Sequence, residues 1–206
     1  PRVSREPVVP PRSRAGPVSR IVLVFPHQLF ESHPCIGPGD DVALVEDSLL
    51  FGDRRWPLRI HKQRLVLHRA SMAVYGRALE QRGHRVLRYA HGEHEEIGGV
   101  LSALAGRGYR AIALADPVDD ILRRRLRRGA RRLDLSVEMA DSPLFLNTAA
   151  DNDALFGDRR RYHMADFYKH QRRRLGILLE ADGQSPVGGR WSFDESTPPG
   201  APGRAV

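Results

Sequence analysis

Short apolar runs alternate with longer amphipathic stretches between residues 20 and 139. The runs are five or six residues long, contain β-branched residues and are bounded by polar residues or proline. This pattern favours buried strands over helices. The five predicted strands are residues 20–25, 41–46, 85–89, 110–115 and 135–139.

The stretches between these runs predict helices. From about residue 61 to residue 81 the apolar side chains recur on one helical face, and Gly83 stands where a C-cap glycine belongs. A short helix is predicted at about 97–106, and another after Pro117. Strands joined by helical crossovers indicate an α/β fold, namely a five-stranded parallel Rossmann-like sheet with helices on both faces.

The rest of the chain is predicted to flank this α/β domain, which spans 18–141. Residues 142–195 form a carboxyl-terminal helical appendage, with a helix at about 164–180, and the start of an interdomain linker. The ends, a basic Pro/Arg-rich tail at 1–17 and a Pro/Gly-rich tail at 196–206, are predicted to be disordered.

Composition narrows the class of protein. The formal net charge is +8 and comes mostly from arginine, which favours a weak, salt-sensitive attraction to nucleic acid such as DNA. The single cysteine, Cys35, excludes an internal disulfide and fits a reducing cytoplasm. No apolar run reaches the length of a membrane span, and no export signal is present, so we expect a soluble cytoplasmic protein without a membrane partner.

Several common catalytic motifs are absent. No Gly-x-Gly-x-x-Gly follows the first strand and no Walker phosphate loop occurs, which argues against a dinucleotide dehydrogenase or an NTPase. Neither a His-Glu-x-x-His motif nor a seryl nucleophile elbow is found. We therefore predict no metal site and no catalytic residue in this chain.

Polar residues at the predicted strand ends are candidates for ligand binding. His27 and Gln28 follow the first strand and Glu46 follows the second, so they would line the crevice at the carboxyl ends of the sheet. His61 stands at a helix start nearby in sequence. The alternative is that His27 and Gln28 cap backbone groups, that Glu46 pairs with an arginine, and that His61 faces solvent.

Arginine clusters and two late aromatic residues are further candidates. Arg123, Arg124 and Arg127, and separately Arg172 and Arg173, lie in predicted helices and are weak candidates for nucleic-acid binding; the alternative is a solvated helix face. Trp191 and Phe193 either fold back on this chain or dock on a partner, because large apolar side chains need cover.

Several segments together resemble the amino-terminal domain of the deoxyribodipyrimidine photolyase-related branch of the cryptochrome/photolyase family, the bacterial iron–sulfur branch. The resemblance spans about residues 21–195. The segments that carry it are Val24-Phe-Pro-His-Gln-Leu-Phe30, residues 61–72 (HKQRLVLHRASM), Ser142-Pro-Leu-Phe-Leu-Asn147, Met164-Ala-Asp-Phe-Tyr168 with the arginine run after it, and Val187-Gly-Gly-Arg-Trp-Ser-Phe-Asp194.

The resemblance implies a light-dependent flavoprotein in two parts. An α/β antenna domain holds a ribityllumazine, and a helical domain holds FAD and an iron–sulfur cluster and repairs DNA or senses blue light. This chain is similar to the first part, so the family role would fall on Gln28, Glu46 and His61. The FAD domain is expected as a missing partner, on the same gene or a separate chain, and the chain is not expected to be catalytic alone.

Departures from the family pattern leave other functions open. Pro26-His27 stands where many relatives have Gly-Asp, and the loop at 49–60 carries Trp56 and Pro57, which could close an antenna pocket. After Glu195 the sequence becomes Pro/Gly-rich instead of continuing a basic linker. The alternatives are a standalone binder of nucleotide or flavin-like ligands, a basic nucleic-acid-associated domain, and a truncated product without activity.

Overall fold

The protein is described here by a computed structural model, which covers residues 19–157 and 161–191. The chain divides into two compact units: the sheet unit, Pro1–Leu146, and the second unit, Asn147–Val206. The two predicted tails and Phe193 lie outside the described residues.

Five parallel strands form one sheet in the order β3-β2-β1-β4-β5, and each neighbouring pair is parallel. Their bounds are β1 Arg20–Val24, β2 Asp41–Val45, β3 Val86–Tyr89, β4 Ala111–Ala115 and β5 Ser136–Ala140. Each lies within a residue or two of a predicted strand. The predicted five-stranded parallel α/β fold is confirmed.

The described residues contain six helices. Those of the sheet unit are α1 Ser48–Phe51, α2 Lys62–Gln81, α3 Ile97–Gly106 and α4 Asp120–Arg132. Those of the second unit are α5 Ala149–Phe156 and α6 Met164–Leu175, with a 3₁₀ turn at Val187–Gly189. Gly83 has a φ of 89° directly after the C-cap of α2, as the sequence predicted.

Apolar side chains cover both faces of the sheet, because successive strand residues point to opposite sides. On one face, Ile21 and Leu23 of β1 pack in a cluster with residues of α3 and α4. Phe25, directly after β1, belongs to the same cluster. On the other face Val22 and Val24 pack with residues of α1 and α2. The β1 strand is thus buried on both sides, which explains why its sequence is apolar without alternation.

Two predicted features differ from the structure. The last helix was predicted to reach about residue 180, but α6 ends at Leu175, because Gly176 adopts the left-handed conformation (φ 65°, ψ 29°) that terminates helices. The short helices α1 and α5 were not predicted.

In the part of the chain that the structure describes, no helix is long and apolar enough to cross a membrane.

Candidate functional site

The strand order defines where a ligand crevice lies. The chain runs outward from β1 to β3 and then returns to the other side of β1 as β4, so the order reverses between β1 and β4. In open parallel sheets the crevice outside the carboxyl ends at such a point is the usual ligand site. Here the loops that begin with Phe25 and Asp116 border it.

Gln28 links these two loops. Its side chain is fully buried, and the amide Nε2 donates hydrogen bonds to the carbonyl oxygens of Ala115 (2.9 Å) and Asp116 (3.1 Å). The Oε1 atom, in contrast, has no partner among the described residues. Gln28 therefore lies at the predicted place, where it caps backbone groups as the alternative interpretation expected.

His27 makes a second link across the same crevice. Its Nε2 lies 3.1 Å from the carbonyl oxygen of Pro117, and its ring stacks on Phe25 with centroids 6.2 Å apart. A carbonyl only accepts, so Nε2 carries the proton and Nδ1 is left as a buried acceptor without a partner in the described chain. Burial lowers the pKa of His27, which favours this neutral form.

The β4 side of the crevice contains an unusual backbone conformation. Val118 has a φ of 62°, in the left-handed region that β-branched residues rarely adopt. Its N–H donates to Asp116 Oδ1 at 2.8 Å, which holds the turn. Strained residues of this kind tend to occur at functional sites.

Glu46 lies at the end of β2 and is already paired. Arg69 donates to both carboxylate oxygens through Nε and a terminal nitrogen, each at 3.0 Å, and the backbone N–H of His91 donates at 3.0 Å. The arginine pairing that the sequence left as an alternative is present. Glu46 joins β2, α2 and the chain after β3.

Aromatic and basic side chains surround Phe51 beside this ion pair. The rings of His68 and His91 lie 5.8 and 6.0 Å from the Phe51 ring, and the Arg69 guanidinium lies over it at 5.6 Å. His68 accepts a hydrogen bond from Arg64 Nε at 3.2 Å. Burial, together with the positive charge of Arg64, lowers the pKa of His68.

His61 has a different role from the other candidates. It is the N-cap of α2, where its Nδ1 accepts a hydrogen bond from the backbone N–H of Gln63 at 3.3 Å. The residue is exposed. Its observed contact is a helix cap that satisfies one of the free N–H groups at a helix start.

A buried ion pair that the sequence did not predict fixes the loop after β2. Arg125 of α4 contacts both carboxylate oxygens of Asp53, at 2.5 and 3.2 Å, and Ser48 donates to the same carboxylate at 2.7 Å. Both charged side chains are at most 5% exposed. Arg125 holds the pKa of Asp53 well below its usual range.

Arg125 does not lie on the solvated helix face that the sequence offered as an alternative role for the neighbouring arginines of α4. It lies three residues after Leu122 and next to Leu126, both of which are buried, so helical spacing places it on the inner face. That spacing was the available signal. Arg123 contacts Asp116 at 3.5 Å and Arg124 pairs with Asp120 at 2.6 Å, while Arg127 is exposed.

Four buried polar atoms near the carboxyl ends of β1, β2 and β3 lack hydrogen-bond partners among the described residues. They are His27 Nδ1, Gln28 Oε1, Asp47 Oδ2 and His91 Nδ1. Burial also raises the pKa of Asp47. Buried polar atoms in folded proteins nearly always have a partner, so water or a ligand is expected beside these four, although four others, in His33, Tyr89, Arg123 and Gln171, also lack a hydrogen bond.

The second unit contains the remaining candidates. Arg172 is buried, not on an exposed basic face, and it donates to the carbonyl oxygens of Ile177, Leu178 and Trp191. The half-buried Trp191 ring lies 5.2 Å from the Arg172 guanidinium and 4.5 Å from that of Arg173. Trp191 thus folds back on α6.

Comparisons with known proteins identify the family of this chain. The family model described as "Deoxyribodipyrimidine photo-lyase-related protein" matches residues 22–197. An uncharacterized protein of Acanthamoeba polyphaga mimivirus is 29% identical over 187 residues, which cover 86% of this chain and 93% of the viral protein. A (6-4) photolyase of Agrobacterium fabrum is 25% identical over 194 residues, which cover 90% of this chain but 37% of the bacterial enzyme. The chain therefore belongs to the deoxyribodipyrimidine photo-lyase-related protein family.

Proposed function

We propose that this chain is the antenna-type part of a light-dependent flavoprotein system and that its sheet unit binds a ribityllumazine at the carboxyl edge. The observation that carries the proposal is the set of four buried polar atoms without partners after β1, β2 and β3. The ligand class is the one that the resemblance to the cryptochrome/photolyase family implies. When bound, such a pigment absorbs light and passes the excitation energy to a flavin.

The chemistry of the edge suits a hydroxyl-rich ligand. His27 Nδ1, Gln28 Oε1 and Asp47 Oδ2 can each accept a hydrogen bond, and a ribityl chain supplies hydroxyl donors. Glu46 accepts hydrogen bonds from three donors, so its two oxygens retain capacity for a further hydroxyl. His61 caps the start of α2. We propose that it contacts the periphery of the bound ligand.

A binding titration tests the ligand. We expect 6,7-dimethyl-8-ribityllumazine to bind the purified chain, with quenched or polarised pigment fluorescence as the readout. Glu46→Gln removes one charge from the edge and should weaken binding on the order of tenfold, as loss of a charged hydrogen bond does. Glu80→Gln is the matched control, because Glu80 is an exposed residue of α2 that pairs with Arg88 of β3, and its replacement should leave binding unchanged.

Two results would contradict this proposal. Absence of binding by the wild-type chain removes the antenna role. Binding of FMN or a nucleotide in preference to the lumazine would instead support the standalone ligand-binding module that the sequence left open.

A partner chain is the second part of the proposal. The matched region covers 37% of the Agrobacterium (6-4) photolyase, so most of that enzyme lies outside the match. We propose that FAD and an iron–sulfur cluster reside in a helical partner, on this gene or another, and that the remaining exposed side of Trp191, with Phe193, contacts it. Co-purification with such a separately expressed flavin domain tests this, and loss of the complex in Trp191→Ala is the expected result.

A further inference from the structure

The outward face of α4 carries four exposed arginines that make no ion pair with any described residue. They are Arg127, Arg128, Arg131 and Arg132. The other arginines of the helix have partners: Arg123 and Arg124 contact aspartates outside the core, and Arg125 is buried. The unused positive charge is therefore concentrated in the last two turns of α4.

The spacing of these four residues suits an extended polyanion. Arg127 and Arg131 are one turn apart, as are Arg128 and Arg132, and four residues rise about 6 Å along a helix. Two parallel rows of guanidinium groups result. A small anion meets one or two of them, whereas a chain of phosphates meets all four. Arginine also binds phosphate through two parallel hydrogen bonds.

The inner face of α4 is anchored, which fixes the direction of these arginines. Leu122, Leu126 and Ala130 are at most 2% exposed, and Arg125 is held by Asp53. No apolar face of α4 is left to enter a lipid surface, and helices that bind membranes need one. The surface chemistry of α4 thus favours a nucleic acid over a membrane.

The groove beside α4 limits where a polyanion can lie. This groove, of about 620 Å³, is lined by Arg128 and Arg132 of α4 and by Arg55, His94 and three glutamates, Glu93, Glu95 and Glu96. Glu95 pairs with Arg54, and Glu96 lies 3.5 Å from Arg55. The three glutamates offset the three arginines that line the groove, so the groove attracts phosphate less than the outer ridge of α4 does. The outer ridge of α4 has only basic groups over its last two turns.

We propose that the outer ridge of α4, formed by Arg127, Arg128, Arg131 and Arg132, binds the sugar-phosphate backbone of a nucleic acid without reading its bases. This surface is separate from the proposed pigment site, so either proposal can fail alone. The contact is electrostatic, and each phosphate neutralised adds about 0.9 to the dependence of log K on log salt for duplex DNA.

Fluorescence anisotropy with a labelled DNA duplex tests the ridge. The triple variant Arg127→Gln, Arg128→Gln, Arg131→Gln keeps helix propensity, since glutamine and arginine are similar helix formers. The control is Arg59→Gln, Lys62→Gln, Arg77→Gln, which removes the same charge from exposed positions elsewhere on the sheet unit. Binding is measured from about 50 to about 200 mM salt.

We expect the ridge variant to lose on the order of 10- to 100-fold in affinity at low salt and to flatten the salt slope by about 2 to 3, while the control stays near wild type. Equal losses in both variants would show attraction to net charge only and overturn the proposal, as would unchanged binding in the ridge variant. Stronger binding to phosphatidylserine vesicles than to DNA would also overturn it. If the triple variant unfolds, the single variants Arg127→Gln and Arg131→Gln give the same comparison.

Discussion

Arg125 shows how one side chain can determine the stability of a loop. Its guanidinium and the Asp53 carboxylate are both almost fully buried and meet through two contacts. A buried charge without its partner is costly, because it loses solvation without compensation. The ion pair is therefore a larger determinant of stability than the exposed pairs of the same helix.

We expect Arg125→Ala to lower the free energy of unfolding by about 3 to 5 kcal/mol, because it leaves Asp53 buried and unpaired. Arg127→Ala is the matched control on the exposed side of the same helix and should change stability by at most about 0.5 kcal/mol. Urea denaturation of both variants measures the difference. Equal effects would mean that the Asp53 pair contributes no more than surface charge.

His33 makes stability depend on pH. It is 9% exposed, its Nδ1 accepts a hydrogen bond from the Cys35 N–H, and burial lowers its pKa from 6.5 to about 4. The unfolded chain therefore binds a proton at a higher pH than the folded protein does. Stability from this residue is present above pH 6.5 and is lost as the pH falls towards 4.

Between about pH 7 and about pH 5 we expect His33 to account for a loss of about 1 to 2 kcal/mol in the free energy of unfolding. His33→Gln removes the titrating group and should reduce the loss by that amount. Chemical denaturation of both proteins at each pH gives the difference. His84→Gln controls for a partly exposed histidine, and an identical pH dependence in wild type and His33→Gln would exclude the role.

At the scale of elements, α3 and α4 approach closely through two glycines. A Cβ added to Gly129 would lie 2.9 Å from Leu101 Cδ1 and 3.5 Å from the Gly98 Cα. Leu101 is fully buried and has little room to move. The crossing of these helices thus depends on the missing side chain at Gly129.

Gly129→Val should destabilise the protein by about 1 to 3 kcal/mol, since it overpacks this crossing. Gly106→Val adds the same side chain at the exposed end of α3, where nothing lies within 4 Å, and should be close to neutral. Thermal unfolding of the two variants is the measurement. If Gly106→Val destabilised the protein and Gly129→Val did not, the helix crossing would not depend on the missing side chain at Gly129.

The sequence predicted the strands and long helices because their periodic patterns are local. The position of His27 and Gln28 after β1 followed from the strand end alone. Their partners did not: the carbonyls of Ala115 and Asp116 are 87 and 88 residues from Gln28, that of Pro117 is 90 residues from His27, and they become neighbours only through the β1–β4 pairing. The same reason hides α1, a helix of four residues whose first residue, Ser48, contacts Asp53 and the distant Arg125.

At the scale of the molecule, the apolar core belongs to the sheet unit. Every residue of the two apolar clusters lies before residue 141. The boundary between the sheet unit and the second unit lies after Leu146. A chain that ends there retains all five strands and the helices that cover both faces of the sheet.

We expect a fragment ending at Leu146 to unfold in a single cooperative urea transition, because it contains the whole core. A fragment ending at Ala115 lacks α4 and β5, and it should show no such transition. Far-ultraviolet circular dichroism during denaturation distinguishes them. A non-cooperative Leu146 fragment would mean that the sheet depends on the second unit.

The ion pair between Asp53 and Arg125 also has a consequence for synthesis. The two residues are 72 positions apart, and Arg125 lies within the fourth helix of the chain. The amino end of a nascent chain leaves the ribosome first. The loop that contains Asp53 therefore leaves the exit tunnel well before Arg125 does. During that interval the Asp53 carboxylate stays in water, and the loop acquires its final form only when α4 emerges. A pause in translation before α4 would lengthen the time during which the loop of the nascent chain lacks its ion pair. Chaperones could bind the loop during that time.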